Sequence, residues 1–148
     1  MKRRLEICAG ANRLAQYDVY DEPTMSLDPI VAIQVMDLII RARDINHISS
    51  LYVTKKIHEI PHLARTIATH TDTGEIVVAE APPDRLPATR VIVLEQGRIA
   101  FSGNVEEFQK SDLPAIKELM TLDRHDHSKD PYFVDPWDKR RHPDEKLL

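Results

Sequence analysis

Read as a succession of apolar and polar positions, the chain alternates helical and extended segments. In residues 2–14, Leu5, Cys8, Ala9 and Ala11 recur at the spacing of one helix face, with Arg and Glu between them. Tyr17-Asp18-Val19-Tyr20 is a short β-prone run closed by Asp21-Glu22-Pro23, where proline forbids further ladder pairing. Asp28-Pro29 predicts a helix start, with Asp as N-cap and Pro in the first turn. That helix should run to about Arg43; Ile30, Ile33, Val35, Met36 and Leu38–Ile40 make it apolar around much of its circumference, so packing on more than one side is expected. Residues 50–54 read as a buried strand and residues 56–64 as a short helix that Pro61 kinks or divides.

Two hairpins are predicted next: residues 66–71 and 75–81 flank Asp72-Thr73-Gly74, and residues 90–95 and 98–102 flank Gln96-Gly97. Ala81-Pro82-Pro83-Asp84-Arg85-Leu86-Pro87 between them is a stiff, extended connector. Short helices are expected over 105–110 and 114–122. From Asp123 onward the chain is mostly charged residues, His and Pro with Tyr132, Phe133 and Trp137 interleaved, a composition that cannot form its own core. The strand–helix–strand–helix order predicts an α/β protein with a mainly parallel sheet.

Composition narrows the function classes. The 148 residues are 42% hydrophobic and 30% charged, with a net charge of −4, which excludes wholesale disorder and fibrous repeats. The near-neutral balance speaks against a nucleic-acid protein. The single cysteine, Cys8, excludes an internal disulfide and points to a reducing, cytosolic setting. There is no run of about 18 apolar residues, so no membrane-spanning helix and no direct membrane insertion are expected.

The chemistry concentrates in residues 17–29. A strand ending in two adjacent acids places both carboxylates at its C-terminal edge, where open α/β sheets bind ligands. Asp21 is suited to holding Mg²⁺, which accepts few protein carboxylates and keeps much of its water. Glu22, on the other side of the strand, is suited to orienting or deprotonating an attacking water. Asp-Glu-Pro taken alone more often just ends a strand with solvated acids, and it is the longer string that carries weight.

Asp21-Glu22-Pro23-Thr24 followed by Ser26-Leu27-Asp28-Pro29 resembles the Walker B motif and D-loop of ABC transporter ATPases. The likeness continues in register. Met1-Lys2-Arg3-Arg4-Leu5 resembles the residues after the family's signature motif, and Ser50-Leu51-Tyr52-Val53-Thr54 the strand leading to the switch-histidine loop. Ile57-His58-Glu59-Ile60 is similar to the helix after that loop. Residues 91–99 resemble the family's last hairpin, and residues 102–108 the start of its C-terminal helices. Residues 1–122 are covered, with an insertion at about 65–88; residues 123–148 form a charged tail, loose or docked on a partner. The overall texture is similar to ATPase subunits of Mla/Mce-type lipid and organic-solvent-tolerance transporters of bacteria.

The resemblance implies the C-terminal part of a P-loop NTPase core: mainly parallel strands, an antiparallel hairpin region and terminal helices. It implies an ATP-hydrolysing subunit that binds MgATP, pairs with a second ATPase subunit and drives membrane permease subunits from the cytoplasmic face of the membrane. Carried over, Asp21 is the magnesium-side acid, Glu22 the catalytic base, and Ser26, Leu27 and Asp28 the loop facing the other subunit. Lys55 takes the switch-histidine position.

The chain departs from the family at several points. None of its four glycines lies in a Gly-x-x-x-x-Gly-Lys-Ser/Thr loop, and the Gln loop and signature are also missing. The chain therefore reads as the latter part of a longer ATPase, with Met1 an internal methionine or the product of a genuine truncation. Lys55 offers a fixed charge but not imidazole geometry, and His58, one turn on, is the nearest histidine. Asp18 falls where a central parallel strand is normally apolar, so it needs a partner or a raised pKa. The 66–80 hairpin reads as a surface ornament or a permease contact. His125-Asp126-His127 lacks a third ligand for a metal, and Lys139-Arg140-Arg141 is too short for nucleic acid. Tyr132, Phe133 and Trp137 suit docking into a neighbouring subunit's groove. The alternative function is a non-catalytic truncated module that pairs with a complete ATPase subunit.

Overall fold

The computed structural model describes residues 16–127, with side chains through Asp123. The 2–14 helix, the Met1–Leu5 likeness and the Tyr132, Phe133 and Trp137 anchors lie outside the described residues. The protein is mixed α/β. In order it forms β1 (Tyr17–Asp21), α1 (Pro29–Ile45), β2 (Ser49–Val53), α2 (Glu59–Arg65), β3 (Thr66–His70), β4 (Ile76–Glu80), β5 (Val91–Glu95), β6 (Arg98–Gly103), α3 (Val105–Lys110) and α4 (Pro114–His127), with a 3₁₀ turn at Pro83–Arg85. The chain divides into two compact units: residues up to Lys55 together with His62–Ala88, and Lys56–Pro61 together with the residues from Thr89 onward.

In the first unit β1 and β2 run parallel, with Val19 opposite Leu51 and Asp21 opposite Val53. Helix α1 is the crossover between them. Asp28 caps it by accepting from the Val31 N–H at 3.0 Å, and Pro29 occupies the first helical position, where its missing N–H costs nothing. Ala32, Val35, Met36, Ile39, Ile40 and Ala42 are buried, but Ile30 and Ile33 are 70% and 47% exposed, so α1 is covered along a stripe and not around its circumference. Its chief packing partner is the antiparallel β3–β4 hairpin. The Arg43 guanidinium donates to Leu63 O at 2.6 Å and Thr66 O at 2.7 Å while holding both oxygens of Asp44, and Asp44 accepts from the Ala68 N–H at 2.8 Å. The hairpin read as an ornament is thus part of this unit's core.

In the second unit β5 and β6 are antiparallel, joined by Gln96-Gly97 with φ of 47° and 76°, the doubly left-handed turn that matches strand twist. A bulge falls at Val93/Leu94. Asn104 and Glu107 form a reciprocal capping box at the start of α3. Phe108, fully buried, meets Phe101 edge-on at 5.8 Å between ring centroids, and Ile116 and Ile57 complete the apolar interior. A Cβ at Gly103 would press on the Glu107 carboxylate and the Phe101 ring, so a larger residue there would force those side chains to shift.

Four further expectations are corrected. The sheet is not mainly parallel: β1–β2 is the one parallel pair among the described residues, and the strands form three separate two-stranded sheets. The reason is connection length, since the two- and five-residue links in the hairpins can only return the chain antiparallel, whereas α1 is long enough for a parallel crossover. Strand β2 is not buried, with Leu51 and Val53 55% and 44% exposed. The helix expected over 56–64 starts later, at Glu59, which puts Pro61 in its first turn, where proline needs no i−4 partner and does not divide it. The stretch beginning at Asp123 is not tail from its first residue: α4 continues to His127, and Asp123 is buried.

Candidate functional site

The C-terminal edge of the parallel pair is built from the chain outward. Asp21, the last residue of β1, is exposed. The next N–H, that of Glu22, donates to Val53 O at 2.9 Å, extending the ladder one residue beyond the strand. The backbone then breaks sharply. Glu22 has φ of 45°, a left-handed conformation that costs an ordinary residue about 1–2 kcal/mol. Met25 N–H returns to Glu22 O at 3.1 Å and Leu27 N–H to Thr24 O at 3.2 Å, with Pro23 and Thr24 buried beneath the turn. Ser26 has φ of 61°, and Asp28 follows as the α1 cap. Two of the four left-handed non-glycine residues among those described therefore fall within five consecutive positions. Strain of this kind persists only where the surroundings enforce it, and it concentrates at functional sites.

Lys55 sits exposed two residues after Val53, at the same end of the neighbouring strand. The structure therefore brings Asp21, Glu22 and Lys55 to one sheet edge, with Ser26, Leu27 and Asp28 in the loop that leads from it into α1. Two acids, one cation and a strained turn are suited to a phosphate-bearing ligand and its counter-ion. No group of three or more His, Cys, Asp or Glu suited to a metal occurs among the described residues. Mg²⁺ in general takes one or two carboxylates and completes its shell with water and phosphate oxygens, so a single exposed carboxylate is the most this edge would offer it. Asp21 is the residue that would hold it.

Asp18 finds the partner that a polar residue on this strand requires: it accepts from Tyr20 Oη at 3.0 Å, both side chains half-buried on one face. Burial first, then that hydrogen bond and the Asp18 charge, raise the Tyr20 hydroxyl well above the usual tyrosine range. The other face of the pair carries Tyr17, Val19, Leu51 and Val53, between 44% and 74% exposed.

His58 belongs to the second unit, where its Nδ1 lies 2.7 Å from Asp123 Oδ1, and Glu59 beside it is 1% exposed and 3.9 Å from Lys56. This gives the imidazole a structural role. The backbone of His125-Asp126-His127 closes α4. Sequence reasoning missed the buried Thr24 under the loop and the His58–Asp123 pair. A hydroxyl after Pro hints at the first, but no local signal marks a partner 65 positions away. Comparison with protein families, curated proteins and solved structures finds no match to this chain.

Proposed function

We propose that this chain is the C-terminal part of an ATP-hydrolysing ABC transporter subunit. The observation that carries the reading is the edge itself: adjacent acids at the end of a parallel strand, with Glu22 held left-handed beside the end of β2 and Lys55. Phosphoryl transfer asks for positioned charge and a positioned water more than for covalent chemistry. In this reading Asp21 serves the MgATP counter-ion and Glu22 orients and deprotonates the attacking water. Lys55 faces phosphate, and Ser26, Leu27 and Asp28 meet a second ATPase subunit. These 148 residues contain no phosphate-cradling loop, so the reading requires one elsewhere in the complete protein. The complete protein would act at the cytoplasmic face of a membrane beside permease subunits, in a lipid or solvent-tolerance system of the Mla/Mce type.

The test joins sequence to kinetics. The reading expects the coding sequence upstream of Met1 to supply a Gly-rich Lys-Ser/Thr loop in frame. In that longer protein Glu22→Gln keeps MgATP binding and slows hydrolysis by about a hundred- to ten-thousand-fold, the usual contribution of a general base. Equal turnover in the variant removes Glu22 from the mechanism.

A second reading is favoured by the exposed apolar face of β1–β2, since parallel strands are normally covered on both sides. There the chain is a non-catalytic module that seats this face on a complete ATPase subunit. Co-purification with such a subunit, with no hydrolysis by the chain itself, distinguishes it.

A further inference from the structure

We propose that Thr24 is a positioning residue, its sealed hydroxyl holding residues 22–27 in the turn that keeps Glu22 left-handed. The consequence for hydrolysis rests on the ATPase reading; the hold on the turn does not. Thr24 is 0% exposed, whereas Met25 and Ser26 beside it are exposed. It also sits where two turns interlock. The Met25 N–H donates to Glu22 O at 3.1 Å and closes residues 22–25, and the Leu27 N–H donates to Thr24 O at 3.2 Å and closes residues 24–27. Thr24 therefore lies inside the first turn and opens the second.

The loop is anchored at both ends, by the Glu22 N–H on Val53 O at 2.9 Å and by Asp28 capping α1. Between those anchors Glu22 at φ 45° and Ser26 at φ 61° would each gain by relaxing to ordinary backbone angles. Relaxation at Glu22 requires the 22–25 turn to open and Thr24 to leave its buried place. A hydroxyl sealed from water is costly unless the surrounding chain satisfies it. Such a bond is directional and apolar packing is not, so a valine of nearly the same shape fills the space without fixing the turn. Side chains in a strand are aimed by strict alternation, and a left-handed residue leaves that alternation. Whatever holds φ at residue 22 therefore also sets where the Glu22 carboxylate lies.

The test reads the strain at Glu22 through Thr24. In the full chain the urea midpoint of Glu22→Gly is expected above that of Glu22→Ala. Adding Thr24→Val to both should shrink that difference by roughly half or more, because the turn is then free to relax. Thr24→Ser, which keeps the hydroxyl, should leave the difference whole. If Thr24→Val does not fold, Thr24→Ala against Thr24→Ser makes the same comparison. A difference that loss of the hydroxyl leaves unchanged means that Thr24 only fills space, and no difference in the native background means that there is no strain to hold; either overturns the proposal. In the longer protein of the ATPase reading, Thr24→Val should lower kcat for MgATP hydrolysis by about ten- to a hundred-fold with KM unchanged, and Thr24→Ser should restore it. An unaltered kcat overturns the positioning role. A longer protein that hydrolyses no ATP removes the ATPase reading instead, and the midpoints still decide whether Thr24 holds the turn.

Discussion

Glu22 is where local conformation and chemistry conflict most directly. Its φ of 45° suits glycine, and a glycine there would remove the carboxylate that the proposed reaction uses. Comparing Glu22→Gly with Glu22→Ala isolates the backbone strain, because both delete the side chain. The glycine variant should be more stable by about 1 kcal/mol in urea denaturation, the cost of a left-handed residue with a Cβ. Equal midpoints would mean the turn carries no strain. Tyr20 makes a separate prediction about pH. Its hydroxyl is harder to ionise in the folded chain than in the unfolded one, so the stability it contributes is whole below the ordinary tyrosine pKa of about 10. That contribution declines as pH rises from there toward the higher folded value. Tyr20→Phe should flatten the alkaline fall of the urea midpoint and leave its neutral-pH dependence unchanged.

At the scale of elements, caps and turns do much of the specifying. Asp28 satisfies one orphan N–H of α1, and Asn104 with Glu107 satisfies two at α3. Asp28→Ala should therefore cost about 1 kcal/mol and Asn104→Ala up to about 2 kcal/mol, read as shifts of the urea midpoint. Much at this scale was legible in the sequence. Asp28-Pro29 announces α1, Gln96-Gly97 the β5–β6 turn, and Asp72-Thr73-Gly74 the loop between β3 and β4, because each signal depends only on residues a few positions apart. The candidate site shares that legibility, since its acids and its loop are contiguous in the chain. The left-handed turn at Glu22 was not legible, because no glycine marks it; it is imposed by the Val53 contact and by Pro23 and Thr24 packed beneath it.

The whole molecule behaves as two compact units, each with its own polar fastening. Arg43 fastens α1 to the start of β3, and His58 with Asp123 fastens the segment after β2 to α4. Arg43→Met strands two half-buried carbonyls at about 2 kcal/mol. It should speed amide hydrogen exchange in residues 66–80 and leave residues 91–103 unchanged. Asp123→Asn should do the reverse, loosening residues 56–61 and α4. Equal acceleration everywhere would make the chain one cooperative unit. By itself the sequence determined the order and kind of the elements, their caps and turns, and the adjacency of Asp21 and Glu22, since periodicity, proline geometry and capping act within a few residues. Only the tertiary structure decided that the strands form three small sheets, that the β3–β4 hairpin is core, and that His58 meets Asp123. Those outcomes turn on which distant surfaces bury one another, and no local pattern encodes that choice.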